Sequence, residues 1–312
     1  MSVLRIGLVG CGRIAERGWI PAIARVESVE LAAVADIDAA RCAAVSPGTP
    51  AFASAEDLVR AGGVDAVVIA TPATAHVSDA RAVAAAGLPS IVEKPPAPDA
   101  AAARLLAALE PTPRIGLNRR FEPSLLEART RVPERETLSI RLAFSYRRAS
   151  WAARVVADEA LLDLGPHLID LARWLSDSPV HSVRTLWRTR DRCTLELELG
   201  RATASLSFAT DRPYREVVEV RGENGRLVAR RNKGGLSRAV LGLLRPSSDQ
   251  LGDSLVGQLE AFCVCVGGSN ESPLASAADG VAIMDVIDAA RSSHALGGTW
   301  VELDATAQPA LR

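Results

Sequence analysis

The order of patterns along this 312-residue chain predicts an α/β fold: an N-terminal doubly wound parallel sheet, then an α+β domain with a largely antiparallel open sheet. Three observations carry that expectation. Short apolar runs alternate with helical segments from Leu4 to Asn118. A glycine-rich turn joins the first run to the first helix. Beyond about residue 120 the apolar positions switch to the period of two of half-exposed strands. The length suffices for two cores, with domains expected at residues 1–120 and 121–312.

In the first part, Leu4 to Val9 reads as a buried strand leading into Gly10-Cys11-Gly12-Arg13-Ile14-Ala15, a G-x-G-x-x-A turn that opens a helix to about Val26. The first glycine permits the tight bend, the second lets backbone approach a pyrophosphate, and the third small residue lets helix and strand pack closely. The helix N-terminus adds free N–H groups and a positive dipole end. The next strand, Leu31 to Ala35, ends at Asp36, where a carboxylate accepts the hydroxyls of an adenosine ribose and repels a 2′-phosphate. A dinucleotide-binding Rossmann domain follows, with NAD preferred; Arg41 nearby keeps NADP open as the less favoured cofactor.

Alternation continues through a helix from Ser54 to Ala61, a strand from Ala66 to Ala70, a helix from Thr74 to Ala86 and a strand from Ser90 to Val92. Asp99 is a candidate N-cap for a helix from Ala100 to Leu109, and Arg114 to Asn118 is a further strand. Ligands of such sheets sit at the carboxyl ends of strands, so Gly10, Asp36, Thr71, Glu93 and Asn118 are expected to line one crevice. Lys94 and Lys233 are the only lysines among 36 basic residues. Lys94 directly follows a buried strand, and its compact ammonium suits proton chemistry in a way that an arginine fork does not; the plain alternative is a surface lysine.

In the second part, Leu138 to Phe144, Thr194 to Leu199, Ala202 to Phe208 and Glu216 to Arg221 alternate apolar and polar, and Gly222-Glu223-Asn224-Gly225 is a turn. One sheet face is covered and the other is a candidate surface for a homodimer or homotetramer. Leu161 to Leu175 is helical by pattern. Asp163 and His167 share a face if that helix runs through Pro166, and a carboxylate that orients an imidazole serves general acid–base chemistry. A helix cap or a satisfied buried histidine is the alternative. Arg119, Arg120, Arg147 and Arg148 are expected to be mostly solvated, and Trp151 is a candidate ring for stacking.

A net charge of −1 gives no reason to expect nucleic acid or an anionic membrane as partner. The five cysteines lack a C-x-x-C pair and read as reduced core thiols, with no metal site expected. The N-terminal apolar stretch is too short for a signal peptide, and a cytoplasmic location is expected.

These motifs resemble the glucose–fructose oxidoreductase/inositol dehydrogenase/rhizopine-catabolism (Gfo/Idh/MocA) family. The residues that carry the resemblance are the Gly10–Ala15 turn, Ala70-Thr71-Pro72 with His76, Glu93-Lys94-Pro95, Asn118-Arg119-Arg120-Phe121, Asp163-x-Gly165-x-His167-x-x-Asp170, the 222–225 turn and Ala278-Asp279-Gly280. The resemblance implies a Rossmann domain, an open-sheet domain and a reaction at their interface. It implies that Gly10, Gly12, Arg13, Ile14, Asp36, Thr71, Pro72, His76, Glu93, Lys94 and Asn118 serve the cofactor. It further implies that Lys94, Asp163 and His167 are catalytic. The expected activity is NAD(P)-dependent hydride transfer to or from a sugar, polyol or related cyclic hydroxy or keto compound. Two other functions stay open: a non-catalytic dinucleotide-binding regulator, and a tight-NAD enzyme that oxidises its substrate transiently. The sequence departs from the family's pattern at Ala157-Asp158-Glu159-Ala160 and in the 232–253 stretch, which is read as a lid, an oligomer contact or a loop.

Overall fold

The computed structural model describes residues 3–151, 159–234, 250–268 and 273–309. The chain divides into two compact units, Met1–Glu122 with Asp249–Val281, and Pro123–Ser248 with Ala282–Arg312.

In the first unit, β1 (Leu4–Val9), β2 (Val29–Ala35), β3 (Ala51–Phe52), β4 (Ala66–Ile69), β5 (Ser90–Glu93) and β6 (Arg114–Gly116) are parallel, in the spatial order 6-5-4-1-2-3. All four residues of β4 and of β5 are buried, as strands covered on both faces require. After the glycine-rich turn the chain makes a π-helical turn, Ala15–Trp19, that continues as α1 (Ile20–Ile23), three residues short of the predicted end. The later helices start at side-chain caps. Asp38 accepts from Ala40 N for α2 (Ala39–Val45), Ser54 from Asp57 N for α3 (Ala55–Ala61), and Asp99 from Ala102 N for α5 (Ala100–Ala107). The helix before β5, α4 (Ala73–Ala85), follows Pro72 without a side-chain cap.

The expected boundary at residue 120 misses a return of the chain. The helix α8 (Gln250–Val266) inserts Leu255, Leu259 and Phe262 into the core that holds Ile6, Leu8 and Trp19. The strand β13 (Ala275–Ser276) then pairs antiparallel with β6 at the sheet edge. Apolar spacing reveals that such a helix has a buried face. It does not reveal which sheet lies beneath it.

In the second unit, β7 (Leu138–Arg147), β8 (Val180–Arg188), β9 (Arg192–Leu199), β10 (Ala202–Ala209), β11 (Asp211–Arg221), β12 (Leu227–Gly234) and β14 (Val301–Glu302) form a sheet in the order 12-11-7-10-9-8-14. Among the described residues of this sheet, only β7 and β10 pair in parallel. The short helix α6 (Pro123–Arg131) precedes it, and α9 (Ala277–Ala295) supplies Ala290 and Ser293 as hydrogen-bond partners of Thr185. Leu138, Ile140 and Leu142 of β7 are buried, while Ser139 and Arg141 face out with Thr203, Ser205 and Ser207 of β10. The covering helix, α7 (Ala160–Ser176), is buried along all 17 residues and runs unbroken through Pro166. The 222–225 turn lies between β11 and β12 as predicted, with Asn224 and Gly225 at φ 56° and 73°. Of the 232–253 stretch, 232–234 belong to β12 and 250–253 to α8; the rest lies outside the described residues, as do residues 157–158 and the side chain of Trp151.

If α8 completes the first unit's core, Phe262→Ala costs about 3–5 kcal/mol of stability. Val264→Ala on the exposed side of the same helix costs less than about 0.5 kcal/mol. Urea unfolding of the two variants measures the contrast, and equal small effects would contradict the packing.

Candidate active site

The first unit gathers its candidate residues where parallel strands end. Gly10 closes β1 at φ +96°, and a Cβ there would lie 2.6 Å from the backbone of Ala70 and Thr71, so only glycine fits. At Gly12 the opposite holds: a Cβ would meet nothing within 4 Å. The backbone is bare where the helix starts, and Gly12 C=O already accepts from Glu16 N at 3.0 Å. Arg13 pairs with Glu16 at 2.7 Å on its own helix, and Ile14 packs against the core beside Gly18.

Asp36 follows β2, with Oδ2 accepting from Cys11 N at 2.8 Å and Oδ1 from Asp38 N at 2.9 Å. These bonds tie the glycine-rich turn to the end of β2. Each oxygen retains a second lone pair for another donor. Arg41 approaches Asp36 at 3.9 Å and Asp38 at 3.3 Å. The thiols of Cys11 and Cys42 touch at 3.7 Å behind the turn, and burial pushes that of Cys11 up to about 12, which leaves it a protonated packing group.

After β4, Thr71 Oγ1 donates to Asp79 Oδ2 at 2.7 Å. Burial raises the pKa of Asp79. His76 is fully buried, with Nε2 at 2.7 Å from Thr71 O and Nδ1 at 3.1 Å from Pro96 O. A neutral imidazole has one N–H, so His76 donates to one of these two carbonyls, which lie in the loops after β4 and β5. Burial outweighs those carbonyls and lowers its pKa.

At the end of β5, Glu93 Oε1 accepts from Trp19 Nε1 at 2.7 Å and Oε2 from Lys94 N at 3.0 Å. Burial raises the pKa of Glu93 while the Lys94 ammonium opposes the rise. The half-buried Lys94 begins a cis peptide bond to Pro95. Beyond β6, Asn118 Nδ2 donates to Ser254 on α8 at 2.7 Å. The following arginines are buried, not solvated: Arg119 lies 3.2 Å from Glu122, and Arg120 lies 3.6 Å from Asp279 and 3.3 Å from Pro273 O.

In the second unit the continuous α7 places Asp163 and His167 on one face, each 9% exposed and thus shielded from bulk water. Tyr146 of β7 donates a short hydrogen bond to Asp163 Oδ2, and Arg148 lies 3.5 Å from the same oxygen. This removes Arg148 too from the expected solvated group, whereas Arg147 is exposed. At the start of α7, Glu159 is held by Arg188 at 3.0 Å and Arg291 at 3.1 Å. Among the described residues no group of three or more His, Cys, Asp or Glu could hold a metal ion. Among the same residues, no helix is long and apolar enough to cross a membrane.

A bare glycine at a helix start, a carboxylate at the end of the neighbouring strand and the 6-5-4-1-2-3 order define a dinucleotide-binding Rossmann unit. Residues 4–113 match the GFO_IDH_MocA model, described as "Oxidoreductase family, NAD-binding Rossmann fold", and residues 126–228 match the "GFO/IDH/MocA C-terminal domain". The chain belongs to the GFO/IDH/MocA oxidoreductase family. It is 36% identical over 185 residues to the rhizopine catabolism protein MocA of Rhizobium meliloti, a match covering 56% of this chain and 58% of that protein. It thus spans a little over half the length of that relative. Inositol 2-dehydrogenase 2 of Saccharopolyspora erythraea is 29% identical, over 99% of this chain and 98% of its own. Two solved structures share the fold: GenD2 from gentamicin A biosynthesis in complex with NAD (TM-score 0.81, 24% identity, 98% and 97% coverage), and a myo-inositol dehydrogenase from Corynebacterium glutamicum (TM-score 0.79, 19% identity, 97% and 99% coverage).

A histidine whose folded pKa is lowered binds fewer protons than its unfolded counterpart. Its contribution therefore favours unfolding as pH falls below its ordinary value near about 6.5. His76→Gln removes that contribution, so its melting temperature falls less steeply than the wild type's between about pH 7.5 and 5.5. Parallel melting curves would contradict a neutral, buried His76.

Proposed function

We propose that this chain is an NAD-dependent dehydrogenase of a sugar or cyclic polyol, in which Lys94, Asp163 and His167 carry the proton half of the reaction. The bare backbone at Gly12 beside the Asp36 carboxylate is the observation that carries the cofactor assignment. Gly10, Gly12, Arg13 and Ile14 form the turn and helix start that receive the pyrophosphate. Asp36 takes the adenosine ribose hydroxyls with its remaining lone pairs. Its charge disfavours a 2′-phosphate, and Arg41 is already engaged by Asp36 and Asp38, which supports NAD over NADP. Thr71, Pro72, His76, Glu93, Lys94 and Asn118, at or just beyond successive strand ends, serve the nicotinamide half, with His76 buried between the loops after β4 and β5.

Bound NAD supplies the hydride acceptor. His167 takes the hydroxyl proton of the substrate, and the fixed negative charge of Asp163 on the preceding turn favours the imidazolium that results. The Lys94 ammonium stabilises the developing alkoxide. In the reverse direction the same groups protonate a ketone. The name of one relative, inositol 2-dehydrogenase 2, favours a cyclic polyol. We extend the proposal to a cytoplasmic homo-oligomer formed through the outward face of the second unit's sheet, where Ser139, Arg141, Thr203, Ser205 and Ser207 are exposed.

The test follows nicotinamide absorbance with NAD⁺ or NADP⁺ and a panel of inositols, hexoses and their keto forms. The expected result is reduction of NAD⁺ by a cyclic polyol, with Lys94→Ala and His167→Ala each lowering kcat at least about 100-fold. A protein that binds NAD⁺ yet oxidises no member of the panel, and reduces none of the keto forms with NADH, would contradict the proposal.

A further inference from the structure

On the reading that Asp163 and His167 carry the proton step, we propose that Tyr146 is a positioning residue: with Arg148 it anchors the Asp163 carboxylate in one orientation on the turn preceding His167. Tyr146 lies on the same side of β7 as Leu138, Ile140, Leu142 and Phe144, the side that α7 covers. Its hydroxyl donates to Asp163 Oδ2, and the Arg148 guanidinium stands 3.5 Å from that oxygen, with side chains only 16% and 12% exposed. One hydrogen bond from Tyr146 and an ion pair with Arg148 on the same oxygen restrict rotation of the carboxylate, and the arginine balances its charge where water is scarce.

The donor is itself held. The Phe144 ring stacks against Tyr146 at 6.2 Å between centroids, and Tyr214 meets Phe144 edge-on at 5.9 Å. Tyr214 in turn donates to Glu216 at 3.0 Å, and Glu216 lies 3.3 Å from Arg231. Both tyrosines of the chain are spent on this one cluster. The ionisable groups that act on Tyr146 are thus Asp163 on α7 and Arg148 just after β7, with Glu216 and Arg231 behind the neighbouring rings. Burial and the Asp163 charge both raise the pKa of the Tyr146 hydroxyl, so it remains a donor across the working range.

Because the chain has only two tyrosines, Tyr214→Phe leaves Tyr146 as the sole source of tyrosinate absorbance. In that background Tyr146 stays un-ionised at about pH 11, above the ordinary tyrosine value near about 10, with helix content checked by circular dichroism. Adding Asp163→Asn lowers its titration. Ionisation of Tyr146 in the ordinary range while the protein is folded would overturn the contact, as would indifference to Asp163→Asn. In the kinetic arm, Tyr146→Phe lowers kcat about 10-fold and leaves the KM for NAD⁺ unchanged. An unchanged kcat in an active enzyme overturns the positioning role. A wild type without activity on any substrate would instead overturn the proposed function, and the absorbance arm would still decide whether Tyr146 holds Asp163. Should Tyr146→Phe fail to fold, Arg148→Gln takes its place in the kinetic arm, with the same loss expected and the same null result contradicting the role.

Discussion

The close approach of Gly10 to the end of β4 is the constraint on which the first unit depends. With 2.6 Å between an imagined Cβ and the Ala70 backbone, the first turn lies directly against the neighbouring strand. That close approach is open to glycine alone where the chain leaves interior strand β1, bends and starts a helix. The bend leaves Gly12 bare and brings Cys11 N within 2.8 Å of Asp36, so the glycine-rich turn and the Asp36 carboxylate are set by one local geometry. Backbone forms most of this cradle. A small number of side chains brace it: Trp19 on Glu93, His76 between two carbonyls, and Asn118 on Ser254.

The second unit solves a different problem. Its central helix is buried along its whole length yet carries Asp163, His167, Asp170 and Arg173. Burying such groups is costly unless each finds a partner. Tyr146 and Arg148 meet that need at Asp163, and Arg188 and Arg291 do the same at Glu159, where the helix begins. The aromatic cluster of Phe144, Tyr146 and Tyr214 lets a strand residue reach the helix at a fixed angle. In this unit the polar network rests on packed side chains, whereas the first unit's cradle rests on glycine.

Much of this was legible in the sequence because it is local. The strand–helix alternation, the cap at Asp99, the Gly10–Ala15 turn and the 222–225 turn each depend on residues a few positions apart. The shared face of Asp163 and His167 was legible as spacing, once α7 proved continuous through Pro166. Long-range choices were not. Nothing in its own periodicity says that α8 belongs to the first sheet, or that Tyr146 rather than solvent meets Asp163. His76 sits in a motif near β4, and only tertiary packing shows it fully buried between the carbonyls of Thr71 and Pro96. The arginines at 119, 120 and 148 read as solvated charges because the acidic partners and carbonyls that receive them are distant in sequence or concealed by folding.

The most direct test of the central claim is calorimetric titration of NAD⁺ into the wild type and Gly12→Val. Because a Cβ at Gly12 meets nothing within 4 Å, the substitution leaves the fold intact and fills only the space assigned to the pyrophosphate. The account predicts that the wild type binds NAD⁺ and that Gly12→Val, with an unchanged melting temperature, loses at least about 100-fold in affinity, or about 2.7 kcal/mol. Equal binding by the two proteins would contradict it, as would a wild type that neither carries nor binds a nicotinamide dinucleotide.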